Sequence, residues 1–126
     1  MDSKNFYEVI EDICEQDKRY KPDSYEFVME GVRFSQVRFK KTGHVSGREL
    51  AEGIRELAVK KFGPMARSVL QYWGMTTTED IGNIVFNMID KKILQKTEAD
   101  IPDDFKDVYS FEEAFKNVLP DITLSE

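Results

Sequence analysis

Residues 46–62 read SGRELAEGIRELAVKKF, and this stretch decides the predicted fold. It opens with a capping box, because Ser46 stands where a helix cap would stand and Glu49 follows three residues later. Apolar residues then recur at the spacing of one helix face. They are Leu50, Ile54, Leu57, Ala58 and Phe62. The stretch therefore predicts an amphipathic helix that packs into the core of a mainly helical domain.

Apolar stripes predict two helices before this stretch and two after it. The earlier pair cover about residues 5–16 and 22–41, and the later pair cover about residues 64–73 and 78–91. Gly82 lies inside the last of these helices, where it costs stability relative to alanine. A residue this small is expected to permit close approach of another helix.

The apolar period changes after residue 92. Residues 93–97 and 108–111 read as short strands around a turn-rich loop, and a short final helix starts at Phe111. Three helices followed by two strands is the order of a winged helix-turn-helix. The predicted fold class is therefore mainly α (α+β): one compact domain over residues 1–126, with a small C-terminal β-hairpin, winged-helix-like, and a frayed tail at 116–126.

Length and charge narrow the function classes. The chain has 126 residues, which favours one domain, and its 18 Lys+Arg and 24 Asp+Glu give a net charge of −6. This charge argues against a protein that coats nucleic acid or anionic membranes. The charge is uneven, however. Residues 1–63 contain 12 basic and 12 acidic residues, so residues 64–126 carry the whole deficit.

The sequence shows no motif that requires catalysis or metal binding. Cys14 is the lone cysteine and His44 the lone histidine, which excludes an intrachain disulfide, Cys-rich metal sites and schemes that need two imidazoles. No Walker loop, GxGxxG, HExxH or CxxC occurs. We therefore predict no catalytic, cofactor-binding or metal-binding residue and lean towards a non-enzyme. The enzyme alternative is a ligand pocket lined by Trp73, Phe86 and Tyr109.

The winged-helix order invites a DNA-binding hypothesis, but the charges oppose it. The would-be recognition helix, residues 77–90, contains three acids, no cation and only two amides, Asn83 and Asn87. The would-be wing lies in residues 98–113, here called the acidic segment, which hold seven acids and one lysine. Since phosphate contacts need cations, this surface would repel DNA.

Positive charge gathers in residues 31–48, which contain no acid. We define the candidate interaction patch, called the basic patch, as Arg33, Arg38, Lys40, Lys41, His44 and Arg48. Two structural explanations stay open: these cations complement the dipole of a solvated helix end, or they pair with the acidic segment. The favoured function is a non-enzymatic protein–protein interaction module with an unidentified protein partner. The alternative is a nucleic-acid-binding regulator that uses residues 33–48.

Neither a signal peptide nor a membrane anchor is visible in the sequence. The first five residues are polar, and no apolar run approaches the roughly 20 residues of a membrane span. We therefore expect a cytoplasmic protein with no membrane partner. The unpaired Cys14 agrees with a reducing compartment.

Six strings together resemble a bacterial family, the planctomycete–verrucomicrobial conserved hypothetical proteins. The strings are YKPDSYEFV (20–28), HVSGRELAEGIRELA (44–58), FGPMA (62–66), WG (73–74), TEDIGNIVFN (78–87) and DFKDVYSFEEAF (104–115). The resemblance spans most of residues 6–115 and implies no activity, cofactor or catalytic residue. This chain has Ser110 where the family pattern has Asp, and either residue can cap the helix that follows.

Overall fold

Helices build the part of the chain that the computed structural model describes, which is residues 5–95 and 102–119. The α-helices are α1 (Phe6–Gln16), α2 (Pro22–Arg38), α3 (Gly47–Phe62), α4 (Ala66–Tyr72), α5 (Thr78–Asp90) and α6 (Phe111–Ala114). Two 3₁₀ turns accompany them, Gly63–Met65 before α4 and Pro102–Phe105 before α6. Within these residues, no helix combines the length and apolarity that crossing a membrane requires.

The capping box before α3 is confirmed. The Ser46 hydroxyl oxygen accepts a hydrogen bond from the Glu49 amide at 3.1 Å, and the Glu49 carboxylate accepts one from the Ser46 amide at 2.9 Å. Two N–H groups that the first helical turn leaves unpaired are thereby satisfied. A second capping box begins α1, where Asn5 and Glu8 play the same parts. At the start of α5 the Asp80 carboxylate accepts a hydrogen bond from the Thr77 amide at 3.1 Å. Such local sequence signals therefore set where these helices begin.

The core forms where α2 and α3 pack antiparallel and α5 lies against both. The predicted buried face of α3 is confirmed at Leu50, Ile54, Leu57 and Ala58, whereas Phe62 is half-buried. The helices contribute side chains that are fully buried or nearly so, including Ile10, Tyr25, Val28, Leu70, Ile81, Ile84 and Met88. At about 25 cal/mol per Å² of apolar surface, this burial is the main force that holds the helices together.

The predicted β-hairpin and winged-helix architecture are wrong. The described residues contain no strand, and the only β-type pairing among them is an isolated bridge between Thr77 and Ser110. Residues 93–95 form a bend rather than a strand, and Phe111 already belongs to α6. Residues 96–101, which include part of the predicted first strand and wing, lie outside the described residues, as do residues 120–126 of the predicted tail.

Burial of Phe105 explains why residues 102–111 do not form a wing. The Phe105 side chain is 3% exposed and lies in a notch between α3 and α5. A Cβ atom added to Gly82 would lie 2.8 Å from the ring, and one added to Gly47 would lie 3.0 Å from it. Gly82 thus permits close approach of an aromatic ring rather than of a long helix. An extended hairpin would leave this ring without its apolar notch.

A buried threonine fixes the backbone around the same notch. The Thr78 hydroxyl donates a hydrogen bond to the Phe105 carbonyl oxygen at 2.6 Å and accepts one from the Val108 amide at 3.2 Å. Thr78 is completely buried, so these two bonds satisfy groups that water cannot reach. The segment after Pro102 is therefore held at the N-terminal end of α5.

Candidate functional site

The antiparallel packing of α2 and α3 places the basic patch at one end of the helix pair. α2 ends at Arg38, and the turn that follows is closed by Gln36, whose side-chain amide donates to the Gly43 carbonyl oxygen at 2.7 Å. Lys40 adopts a left-handed backbone with φ of 56° in this turn. Arg48 then lies in the first turn of α3. The local chain reversal thus gathers cations from two helices and one turn.

Two cations of the basic patch are engaged within the chain. Arg38 Nε lies 3.0 Å from the Glu56 carboxylate, and Lys41 Nζ lies 3.5 Å from the Glu49 carboxylate. Both acids belong to α3, so the alternative in which the patch pairs with the acidic segment is not seen among the described residues. Exposed pairs of this kind add about 0–1 kcal/mol each. They connect α3 to the end of α2 and to the turn that follows it.

The remaining members of the basic patch face solvent. Arg33, Lys40, His44 and Arg48 are exposed and form no ion pair with another described residue. Val37 lies on the same end of α2 and is 81% exposed, an unusual exposure for a large apolar side chain. The free surface is therefore a mixture of cations and an apolar side chain.

A cavity of about 290 Å³ adjoins this end of the helix pair, and we call it the groove. Its walls come from α2, the turn before α3, the start of α3, α5, the chain that follows α5 and the 3₁₀ turn that contains Phe105. Apolar lining residues are Val32, Val45, Leu50, Val85, Ile89, Ile93, Leu94 and Phe105, and polar ones include Gln36, His44, Ser46 and Gln95. The sequence pattern places Ile89 in a helix core and Ile93 and Leu94 in a strand, so it does not indicate that these side chains line the groove. The apolar spacing of these residues is the one sequence feature that could indicate a shared apolar surface.

The two side-chain amides of the would-be recognition helix form hydrogen bonds within the protein. The Asn83 side-chain amide donates to the Tyr20 hydroxyl at 2.9 Å. The Asn87 amide donates at 3.0 Å to both the Asp17 carboxylate and the Tyr25 hydroxyl. These amides tie α5 to the start of the chain and are not presented to a nucleic acid.

Hydrogen bonds and burial shift the pKa values of the side chains that surround Asn83 and Asn87, here called the polar cluster. The hydrogen bond from Arg19 to Asp17, at 2.7–2.9 Å, is the largest cause of a strongly lowered pKa for the Asp17 carboxyl, which is 18% exposed. Burial raises the pKa of Tyr25 to about 12. Burial works to raise the pKa of Asp80, but hydrogen bonds from Tyr20 and two backbone amides lower it overall. The hydrogen bonds of the polar cluster connect the α1–α2 turn to α5.

We expect Asp17→Asn to make the free energy of unfolding less dependent on pH below about pH 6. Because folding lowers the pKa of Asp17, the ion pair contributes stability that is complete above the unfolded pKa of about 4. That stability is lost as pH falls towards the folded value. Urea unfolding between about pH 6 and pH 3 should show a shallower decline for Asp17→Asn than for the parent chain. Arg19→Ala should flatten it similarly, and a slope unchanged in both variants would contradict the ion pair.

Trp73, Phe86 and Tyr109 do not share a pocket. Trp73 packs against Phe27 and Phe62, with ring centroids 5.6 and 5.7 Å away. Phe86 contacts Phe105, while the Tyr109 hydroxyl donates to the Ala51 carbonyl oxygen at 2.6 Å. The three aromatics therefore stabilise three different parts of the core, and the pocket hypothesis built on them is wrong.

The described residues offer neither a reactive cysteine nor a cluster of metal ligands. Burial and the Asp17 carboxylate raise the pKa of the Cys14 thiol, which disfavours the nucleophilic thiolate. No group of three His, Cys, Asp or Glu in residues 5–95 and 102–119 could hold a metal ion. In the acidic segment, Asp104 adjoins Gly47 at the start of α3, where the helix dipole favours a carboxylate. Glu98 and Asp100 of that segment lie outside the described residues.

Comparison with known proteins identified no family. No family model, curated protein or solved structure matches this chain significantly. The resemblance to the planctomycete–verrucomicrobial proteins therefore stays a prediction.

Proposed function

We propose that this chain is a non-enzymatic protein–protein interaction module that acts in the cytoplasm and contacts its partner through the exposed end of the α2–α3 pair. One observation carries the proposal. Arg33, Lys40 and Arg48 face solvent without an ion pair among the described residues, whereas their neighbours Arg38 and Lys41 are engaged by α3. Unpaired cations on a folded surface attract a partner of opposite charge.

The mixed character of this surface supports a protein partner. Val37 is 81% exposed between cations that precede and follow it in α2 and the adjoining turn. Arginine and apolar side chains are both well represented in protein interfaces, where burial of the apolar group supplies affinity and the charges supply orientation. The free Cys14 thiol agrees with a reducing compartment, which supports the cytoplasmic part of the proposal.

Nucleic acid remains the alternative partner for residues 33–48. Engagement of Arg38 and Lys41 by carboxylates leaves fewer cations for phosphates. A site with about three phosphate contacts would show a logarithmic salt slope of roughly −2 to −3. Such weak electrostatic binding makes an acidic protein the better-supported partner.

The experiment is affinity capture from native extract with charge-reversed baits. Arg33→Glu/Lys40→Glu/Arg48→Glu should lose a partner protein that the parent bait retains. The matched control, Lys18→Glu/Arg67→Glu/Lys116→Glu, changes net charge equally at exposed positions outside the basic patch and should retain it. Equal capture by both variants would overturn the proposal. Retention on DNA at low salt, lost in the first variant and with no protein captured, would establish the alternative instead.

A further inference from the structure

We infer that the groove binds an apolar side chain of an acidic peptide segment in the partner protein. This inference rests on the proposed function and names the partner chemistry. It is carried by two features that the fold places side by side: an apolar cavity and a rim of cations that come from two separate parts of the chain.

The groove has the form of a side-chain receptor. Val32 of α2, Leu50 of α3 and Val85 of α5 contribute apolar side chains to its walls. Its volume of about 290 Å³ is at the small end of the roughly 300–1,000 Å³ typical of ligand pockets. A cavity of this size suits one or two apolar side chains better than a large organic ligand. An anchor of that kind, buried in a pocket, is the usual energetic centre of an interface.

The cation rim extends beyond the basic patch to two lysines that follow α5. Ile89 and Ile93 both line the groove, and Lys91 and Lys92 lie between them, exposed at the end of α5. The sequence separates these lysines from the basic patch by more than 40 residues. Packing of α5 against α2 and α3 brings the lining residues that adjoin both sets of cations into one groove.

Charge complementarity selects an acidic occupant. We take as rim cations the exposed residues Lys40, Lys41, Arg48, Lys91 and Lys92, which lie in the sequence beside or between lining residues. The described carboxylates in corresponding positions are Glu49, Asp90 and Asp104. The hydrogen bond from the Ser46 amide and the neighbouring Lys41 lower the pKa of the Glu49 carboxyl, although burial acts to raise it. Among these described residues, the five cations outnumber the three carboxylates. A peptide with carboxylates flanking an apolar residue matches this excess of cations, with the apolar side chain inside and the charges outside.

The probe is a fluorescein-labelled peptide, Glu-Asp-Phe-Glu-Leu-Asp, titrated against the full chain and followed by anisotropy. Its analogue with serine in place of phenylalanine and leucine should bind at least about tenfold more weakly, because the anchors lose apolar burial. An analogue with lysine in place of every acid should not bind detectably. In ¹⁵N spectra, the acidic peptide should shift amides of residues 43–50 and 89–94 most.

Two variants test the groove and its rim separately. Ile93→Glu places a carboxylate in the groove wall and should abolish peptide binding. Met65→Glu, at an exposed apolar side chain outside both the groove and the basic patch, should leave binding unchanged. Lys91→Glu/Lys92→Glu should weaken binding about tenfold, and the matched control Lys18→Glu/Lys116→Glu should not. Far-UV circular dichroism checks that each variant is folded.

Several results would overturn the inference. Equal affinity for the serine analogue would mean that the groove is not used. Binding to phosphatidylglycerol vesicles but not to the peptide would identify a lipid occupant. Concentration-dependent shifts of the same amides without peptide would identify a second copy of the chain. Retention of the captured partner by the Ile93 and Lys91/Lys92 variants, together with its loss in the Arg33/Lys40/Arg48 variant, would reject the groove while leaving the proposed function standing.

Discussion

Replacing Phe105 with alanine is expected to lower the free energy of unfolding by about 3–5 kcal/mol. The ring is 3% exposed, contacts Phe86 at a centroid distance of 6.3 Å and fills the notch formed by Gly47 and Gly82. Truncation removes the apolar burial and leaves a void that two helices cannot close without moving. Against a total stability of about 5–15 kcal/mol, such a loss is large.

Urea unfolding followed by circular dichroism measures this effect, and fluorescence of the single residue Trp73 gives a second probe. Phe105→Leu keeps much of the volume and should cost less than the alanine variant. Tyr72→Ala is the exposed aromatic control, since Tyr72 is 71% exposed, and should cost little. A loss below about 1 kcal/mol for Phe105→Ala would show that the 102–105 turn does not stabilise the fold.

Gly74→Ala is expected to cost at least about 2 kcal/mol. Gly74 adopts φ of 104°, a conformation that residues with a side chain rarely occupy. A Cβ atom there would also collide with the carbonyl oxygen of Arg19, which belongs to the backbone and cannot move aside by changing rotamer. The α1–α2 turn and the end of α4 also meet through a hydrogen bond from the Lys21 amide to the Trp73 carbonyl oxygen at 3.0 Å. Strain at this position should therefore separate the α1–α2 turn from the end of α4.

Gly43→Ala provides the matched control for this substitution. No atom lies within 4 Å of the Cβ position at Gly43, and its φ is not in the left-handed region. Alanine there should be neutral or stabilise the chain by up to about 1 kcal/mol, because it restricts the unfolded state. Thermal unfolding of both variants measures the difference. Equal melting temperatures would contradict the close approach of Gly74 to Arg19.

The helix starts were predictable because their signals are local. Ser46 and Glu49 lie three residues apart and cap α3, and Pro22 begins α2 as its first residue. The end of α2 was predicted at residue 41 but occurs at Arg38, and the chain then turns through the left-handed Lys40. A helix end is less well specified by local chemistry than a capped start.

The C-terminal part was predicted wrongly because a distant contact overrides local preference. Residues 108–111 contain residues that favour strands, and isolated from the fold they suggest extended structure. In the structure, burial of Phe105 and the two hydrogen bonds of Thr78 bend this segment across α5, and Ser110 then caps α6. Neither the notch nor Thr78 is close in sequence to the segment that they organise.

For the basic patch too, the sequence shows which residues are charged, whereas the tertiary structure decides which of them are unpaired. Sequence composition identified its six members, because an acid-free stretch is visible without a structure. Whether a cation is free depends on what lies opposite, and Glu56 is 18 residues from the Arg38 that it engages. Lys91 and Lys92 adjoin groove residues Ile89 and Ile93, which meet the residues before α3 only because α5 packs against α2.

Sequence by itself determined the helical character, the capped helix starts and the position of the acid-free stretch, since each follows from residues a few positions apart. Tertiary structure alone decided that the chain after α5 forms no hairpin within the described residues, which cations remain free, and where an apolar groove meets them. The physical reason is that burial and ion pairing depend on distance in space. Side chains from α2, α3 and α5 become neighbours only when the core has formed.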